Sequence, residues 1–170
     1  AVEDLRREVL REQFETNVFG TQELTNLVIP YMRRQKSGRI IYNSSILGFV
    51  AMSYRGAYNA SKFAIEGLAD TLRLELYASG VDVVLIEPGP IKSDFRKNAL
   101  AKFLEHIDQE HSAHKEVYAK TLKRLQKTGD APFTLGAEAV LEALIHAIEA
   151  KKPKVRYGVT FPTKLFAIKL

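Results

Sequence analysis

The sequence predicts an α/β fold, a small parallel sheet of about three strands with flanking helices. Two short runs read as strands: Arg39 to Ser44, apolar at its centre and ending in hydroxyls, and Val81 to Ile86, β-branched and nearly continuously apolar, as expected of a parallel strand covered on both faces. Stretches with apolar residues every three or four positions precede, separate and follow them, the pattern of helices packed by one face. Strand, helix and strand in succession form the right-handed crossover unit that sets parallel strands side by side.

From the N-terminal end, Leu5, Val9, Leu10, Phe14, Val18, Leu24, Leu27, Val28, Tyr31 and Met32 give residues 5 to 36 a broadly helical period. Pro30 is expected to kink its last stretch and Gly38 to end it. The first strand follows. Residues 45 to 56 hold two glycines and no steady period, so they read as loop. From 57 to 79 a stripe of Ala57, Ala60, Ala64, Leu68, Leu72 and Leu76 predicts a helix with Gly80 at its C-terminal cap. Its small residues predict close packing, including against another subunit.

After the second strand comes a Pro88-Gly89 turn, and then residues 94 to 130, helical in propensity but strongly polar, which read as a lid over a substrate pocket. Ala137 to Ala150 is an amphipathic helix with Thr134 as its candidate cap. Lys154 to Thr160 reads as a last short strand, and 162 to 170 as an apolar tail.

Composition bounds the function. At 170 residues, 46% hydrophobic and 26% charged, the chain is an ordinary globular domain in size and character. No apolar run approaches the roughly 18 residues of a membrane span, and no signal-peptide pattern opens it. With no cysteine it can form neither disulfides nor thiolate metal sites, which fits a reducing, cytoplasmic setting. Its net charge of +5 is scattered and lacks interleaved aromatics, so neither nucleic acid nor membrane is an expected partner. His106, His111 and His114 step by five and three and do not share one helical face, so no metal site is predicted. Asn43-Ser44-Ser45 and Asn59-Ala60-Ser61 match glycosylation sequons, but a chain with no export pattern gives them no use.

The chemistry lies in a spacing. Ser45, Tyr58 and Lys62 stand as Ser-x12-Tyr-x3-Lys, and inside a helix the last two fall one turn apart on a shared face. With 7 Tyr and 14 Lys in the chain, chance gives about 0.6 Tyr-x3-Lys pairs, but about 0.03 once the serine is also required. The triplet is therefore informative where the pair is not. A cation beside a phenol favours the phenolate, so Lys62 is expected to bring Tyr58 toward neutral pH as a proton donor and acceptor. Ser45 would polarise the same carbonyl oxygen.

The run Asn43-Ser44-Ser45 through Tyr58-Asn59-Ala60-Ser61-Lys62 resembles the active-site segment of the short-chain dehydrogenase/reductases, which move a hydride between NAD(P) and an alcohol or carbonyl. Two further segments match that family in order. Thr16-Asn17-Val18-Phe19-Gly20 resembles the segment carrying its fourth catalytic residue, Asn17 here. Pro88-Gly89-Pro90-Ile91-Lys92-Ser93 resembles the turn that meets the nicotinamide carboxamide, with Ser93 where the family most often has threonine. The likeness runs from about residue 1 to about 160. It implies that Asn17, Ser45, Tyr58 and Lys62 are catalytic, and that Tyr58, Lys62, Pro88, Gly89, Ile91 and Ser93 meet the cofactor.

The same resemblance exposes what the chain lacks. A glycine-rich phosphate turn needs several glycines within about six residues, and the ten glycines here never fall closer than seven apart. The expected fold is therefore the C-terminal part of a doubly wound Rossmann-type parallel sheet, a single partial domain over residues 1–170 that is the catalytic half of a longer enzyme. The choice between NAD and NADP would be made upstream of Ala1. The family implies a homodimer or homotetramer, and the bare edge of the first strand predicts a swapped pair or a preceding segment. Two alternatives to the active enzyme are a non-catalytic relative and an inert fragment without its cofactor half. Ile46, Leu47, Phe49, Val50 and Met52 predict a fairly apolar alcohol or carbonyl substrate.

Overall fold

The computed structural model describes residues 1–126 and 129–168. In chain order they form α1 (Arg7–Phe14), a π-helical stretch (Glu15–Phe19), α2 (Gly20–Gln35), β1 (Gly38–Asn43), a 3-10 turn (Ile46–Gly48), α3 (Gly56–Glu75), β2 (Val81–Glu87), α4 (Phe95–His106), α5 (Lys115–Gln126), α6 (Glu138–Glu149), β3 (Arg156–Gly158) and α7 (Phe161–Ala167). The three strands are parallel in the order β1-β2-β3, which is the α/β architecture read from the sequence. Within the polar stretch 94–130 and the apolar tail 162–170, residues 127–128 and 169–170 lie outside the described residues.

The apolar run of β2 is continuous because both of its faces are covered. Val81, Val83 and Leu85 pack with Val18, Ile40, Tyr42, Ile65, Ala69 and Leu76, on the side of α2 and α3. Val84 and Ile86 face the other way, onto Ala147 of α6 and Tyr157 of β3. Each such side chain contributes about 1.5–3 kcal/mol by leaving water. β1 forms one edge of the sheet, pairing with β2 from Gly38↔Val81 to Asn43↔Ile86.

Helix ends differ from expectation where tertiary contacts set them. The helix continues through Pro30 to Gln35, and the departure from α geometry falls at Glu15–Phe19, where the Gly20 N–H reaches back five residues to the Glu15 carbonyl. Lys36, at φ 52, takes the left-handed terminal position assigned to Gly38. Gly38 instead opens β1, where a Cβ would lie 2.6 Å from the Met32 side chain. Likewise α3 stops at Glu75, and Gly80, at φ 82, serves the turn into β2 with no room for a Cβ against the Lys36 carbonyl. Thr134 does not cap α6. Its N–H closes a turn on the Ala131 carbonyl, and Ala137 holds the cap position without a side-chain bond.

Leu85, at the middle of β2, has 0% exposure. Leu85→Ala is expected to cost about 2–5 kcal/mol through lost burial and the cavity left behind. Leu74→Ala, at a position 79% exposed, should change stability by no more than about 0.5 kcal/mol. Urea denaturation of the two variants compares them, and equal midpoints would show that β2 does not carry the core.

Candidate active site

The ends of β1 and β2 place the serine. Past Asn43 the ladder continues, with the Ser44 N–H donating to the Ile86 carbonyl at 2.8 Å and the Ile46 N–H to the Pro88 carbonyl at 2.9 Å. Ser45 is extended and caps the 3-10 turn, its Oγ accepting from the Leu47 N–H at 3.1 Å. That hydroxyl also lies 3.4 Å from the Pro88 carbonyl, a long contact that leaves it free to turn.

The first turns of α3 place the phenol and the ammonium. Lys62 Nζ lies 5.7 Å from the centre of the Tyr58 ring and donates to the Asn43 carbonyl at 2.8 Å, which ties α3 to the end of β1. Asn17, in the π-helical stretch, donates from Nδ2 to Ser61 Oγ at 3.0 Å, and Ser61 donates on to the Tyr58 carbonyl at 2.8 Å. The π turn thus aims a side chain at the fully buried Ser61, and so at the backbone of Tyr58. Asn17, Ser45, Tyr58 and Lys62 are brought together, Asn17 touching α3 through Ser61.

The electrostatics reverse one expectation. Burial pushes the Tyr58 phenol above its ordinary value, while the Ser45 hydroxyl and the Arg55 guanidinium pull the other way. Arg55, at the N-cap of α3, is a second cation that acts on the phenol, one the spacing of Tyr58 and Lys62 did not point to. Burial pushes the Lys62 ammonium down, and Glu66 one turn further along opposes this.

The Pro88–Ser93 segment leaves β2 beside Ser45 and Ile46. Gly89 is glycine because a Cβ there would lie 2.0 Å from Thr160 Oγ1, so the loop is seated on two buried threonines, Thr160 and Thr163. Ile91 bridges to Leu135, with the Lys92 N–H donating to the Leu135 carbonyl at 2.9 Å. Ser93 Oγ turns to its own loop, accepting from the Phe95 N–H at 3.4 Å at the start of α4. Phe95 then packs edge-on against Tyr58 at 5.3 Å. Of the apolar residues expected to line a pocket, Leu47 is buried in the body of the fold, at 3% exposure.

Two features escaped the sequence reading. Arg156 on β3 bonds Glu66, Glu87 and, at 2.7 Å, Asp70, drawing α3 and the end of β2 onto one guanidinium. Burial raises the Glu87 carboxyl and Arg156 opposes it. Beside this group, Ser44 Oγ and Glu66 Oε1 are buried without a partner among the described residues, both within 3.0 Å of where a Gly48 Cβ would stand. The signal for Glu66 was its place four residues after Lys62. Arg156 lies 90 residues from Glu66 and carried none. His106, His111 and His114 go to separate carboxylates, His106 to Glu12 and Glu105, His111 to Asp108 and His114 to Glu3. Among the described residues no group of three or more His, Cys, Asp or Glu is arranged to hold a metal, and no helix is long and apolar enough to cross a membrane.

A family model described as short chain dehydrogenase matches residues 1–103. The chain is 39% identical over 160 residues to the uncharacterized oxidoreductase YbbO of Escherichia coli, covering 94% of this chain and 53% of that protein. It is 38% identical over 165 residues to the NADPH-dependent 3-dehydrocapnine reductase of Ornithobacterium rhinotracheale, covering 93% and 55%. The structure of a short-chain dehydrogenase/reductase from Burkholderia phymatum in complex with NAD shares the fold, at a TM-score of 0.73 and 23% identity over 99% of this chain and 59% of that one. The chain spans about half the length of the curated relatives it matches.

Arg156→Met is expected to cost about 3 kcal/mol at neutral pH, the low end for breaking a buried ion pair, because 36% of the arginine side chain is exposed. The folded-state pKa of Glu87 stands above its ordinary 4.5, so the folded protein holds that proton more tightly; the resulting stability is full below 4.5 and is lost as pH rises through the folded value. Removing Arg156 raises Glu87 further, so the penalty should shrink as pH falls from about 7 toward about 5. Thermal unfolding at both pH values checks the sign, and an equal penalty at both would refute it.

Proposed function

The chain belongs to the short-chain dehydrogenase/reductase family, and from that premise we propose that the protein carrying it is an oxidoreductase that moves a hydride between NAD or NADP and an alcohol or carbonyl, with Tyr58 as general acid and base. The observation that carries this is the meeting of the Ser45 hydroxyl, the Tyr58 phenol and the Lys62 ammonium at the C-terminal ends of β1 and β2. Open parallel sheets bind their ligands there.

When bound, the dinucleotide supplies or accepts the hydride. Lys62 spends one N–H on the Asn43 carbonyl and has two more to offer a ribose hydroxyl. The Pro88, Gly89, Ile91 and Ser93 loop, seated on Thr160 and Thr163, would meet the carboxamide. An NADPH-dependent relative and an NAD-bound structural neighbour support a nicotinamide dinucleotide of either form.

Tyr58 does the proton chemistry. With its phenol pushed up by burial, it is protonated at neutral pH and can donate to a carbonyl oxygen as that carbon is reduced. Ser45 turns its hydroxyl from the long Pro88 contact to the same oxygen. In the oxidative direction the phenolate takes the alcohol proton, helped by the Ser45 hydrogen bond and the Arg55 charge. Asn17 keeps α3 in register through Ser61.

Residues 94–130, which include α4 and α5, act as the substrate lid, hinged near Ser93 where Phe95 meets Tyr58. Exposed Leu24, Leu27 and Tyr31 on α2 supply an apolar face for homo-oligomer formation.

Tyr58→Phe in the full-length protein should lower carbonyl reduction by about 10²–10⁴-fold with cofactor binding retained. Because the phenol is raised, wild-type alcohol oxidation should climb with pH while reduction declines at the alkaline end. Steady-state rates in both directions across pH measure this. Equal turnover by wild type and the phenylalanine variant would end the reading.

A further inference from the structure

From Leu24 to Ile65 the chain has no aspartate or glutamate, although this stretch supplies Ser45, Tyr58 and Lys62. From Pro88 to Leu104, across the site, the sequence holds Lys92, Arg96, Lys97 and Lys102 against one acid, the exposed Asp94, and of these cations Lys102 is turned away to Glu12 and Glu105. Three guanidiniums lie close enough to act on one another, and one of them, Arg55, acts on Tyr58. Arg55 sits at the N-cap of α3, three residues before the phenol. Arg96 is the second residue of α4, next to Phe95, whose ring lies 5.3 Å from that of Tyr58. Arg96 Nη1 donates to the Gly129 carbonyl at 2.8 Å, which draws the start of α4 to the chain just beyond α5, whose last turn carries Arg124.

The arrangement is costly as it stands. Arg55 is half-buried, and among the described residues no hydrogen bond or ion pair joins its guanidinium to a carboxylate. Burial, then the charges of Arg124 and Arg96, disfavour its protonated form, and Tyr58 is the group that favours it. A desolvated cation facing two more is answered well by an anion, and the planar guanidinium fork fits carboxylate, phosphate or sulfonate oxygens in pairs.

We propose that the substrate received beside Tyr58 carries an anionic group, and that Arg55, with Arg96 and Arg124, is the site that binds it. The inference rests on reading Tyr58 as the reacting phenol. Three residues of helix rise about 4.5 Å, so the anion stands several bonds from the reacting carbonyl. The substrate is then an acidic ketone or aldehyde with an apolar stem, which the exposed Met52 and half-buried Ile46, Phe49 and Val50 accommodate.

The test uses the full-length protein and a matched pair of probes, a keto acid of medium length and its methyl ester. Wild type should prefer the acid. In Arg55→Met the acid-to-ester ratio of kcat/KM should fall about ten- to a hundredfold, mostly through KM for the acid, and Arg55→Lys should recover part of it. Any effect of Arg55 on the phenol itself touches both probes alike and cancels in the ratio. KM for NAD(P)H should be unchanged. An unchanged ratio would overturn the proposal, and so would a loss expressed in the dinucleotide KM, which would assign the arginines to the cofactor's phosphates. Tyr58→Phe separates the two readings: if it turned over both probes like wild type, the phenol's role would fall, while the ratio in the Arg55 variants would still decide the anion site.

Discussion

Everything in this chain hangs on β2, a strand that must find apolar cover on both faces. Val83 and Leu85 turn to α2 and α3, and Val84 and Ile86 to α6 and β3, so removing either layer would leave half the run in water. Parallel neighbours follow, since a strand buried this way is reached and left through crossovers. The active-site edge is a by-product of that core. β1 and β2 end in register, and the chain leaving them delivers Ser45 and the Pro88–Gly89 turn to one place.

Burial then sets a problem for the chemistry, because it drives both groups of the triplet toward neutrality. The Tyr58 phenol goes up and the Lys62 ammonium goes down. The opposing influences come from the same helix, with Arg55 three residues before Tyr58 and Glu66 four residues after Lys62. Arg55, Tyr58, Lys62 and Glu66 step by three, four and four, a single stripe on α3. Its far end is pinned by Arg156, which answers Glu66 and Glu87 together. Position and protonation are thereby set by one set of side chains.

How much of this could be read from the letters alone follows from what each signal depends on. The strands were legible because an apolar, β-branched run of six residues has few other uses. The pair Tyr58 and Lys62 was legible because helical spacing ties it, and Ser45 only through its fixed distance from that pair. Helix ends were read less well. Whether Lys36 or Gly38 takes the left-handed position depends on Met32 crowding the strand, and where α3 stops depends on Gly80 passing the Lys36 carbonyl. The π turn at Glu15–Phe19 was hidden because one extra residue barely disturbs an apolar stripe. The Tyr58 phenol moves up rather than down for a related reason: sequence gives proximity but not burial, and burial is the largest influence on both Tyr58 and Lys62.

Charge makes the same point on a larger scale. Counted along the chain, the excess of five positive charges looked diffuse. Folding changes its distribution, because the stretch from Leu24 to Ile65 that supplies Ser45, Tyr58 and Lys62 holds no acid, while Glu12 and Glu105 are taken up by Lys102 and His106 and Asp108 by His111. When the start of α3, the start of α4 and the end of α5 converge, cations far apart in sequence face one space. A space of that charge favours a phenolate and an anion by the same field, so the proposed turnover and the proposed substrate choice would draw on one arrangement of charge. A diffuse net charge in the sequence is therefore no measure of the charge a ligand meets.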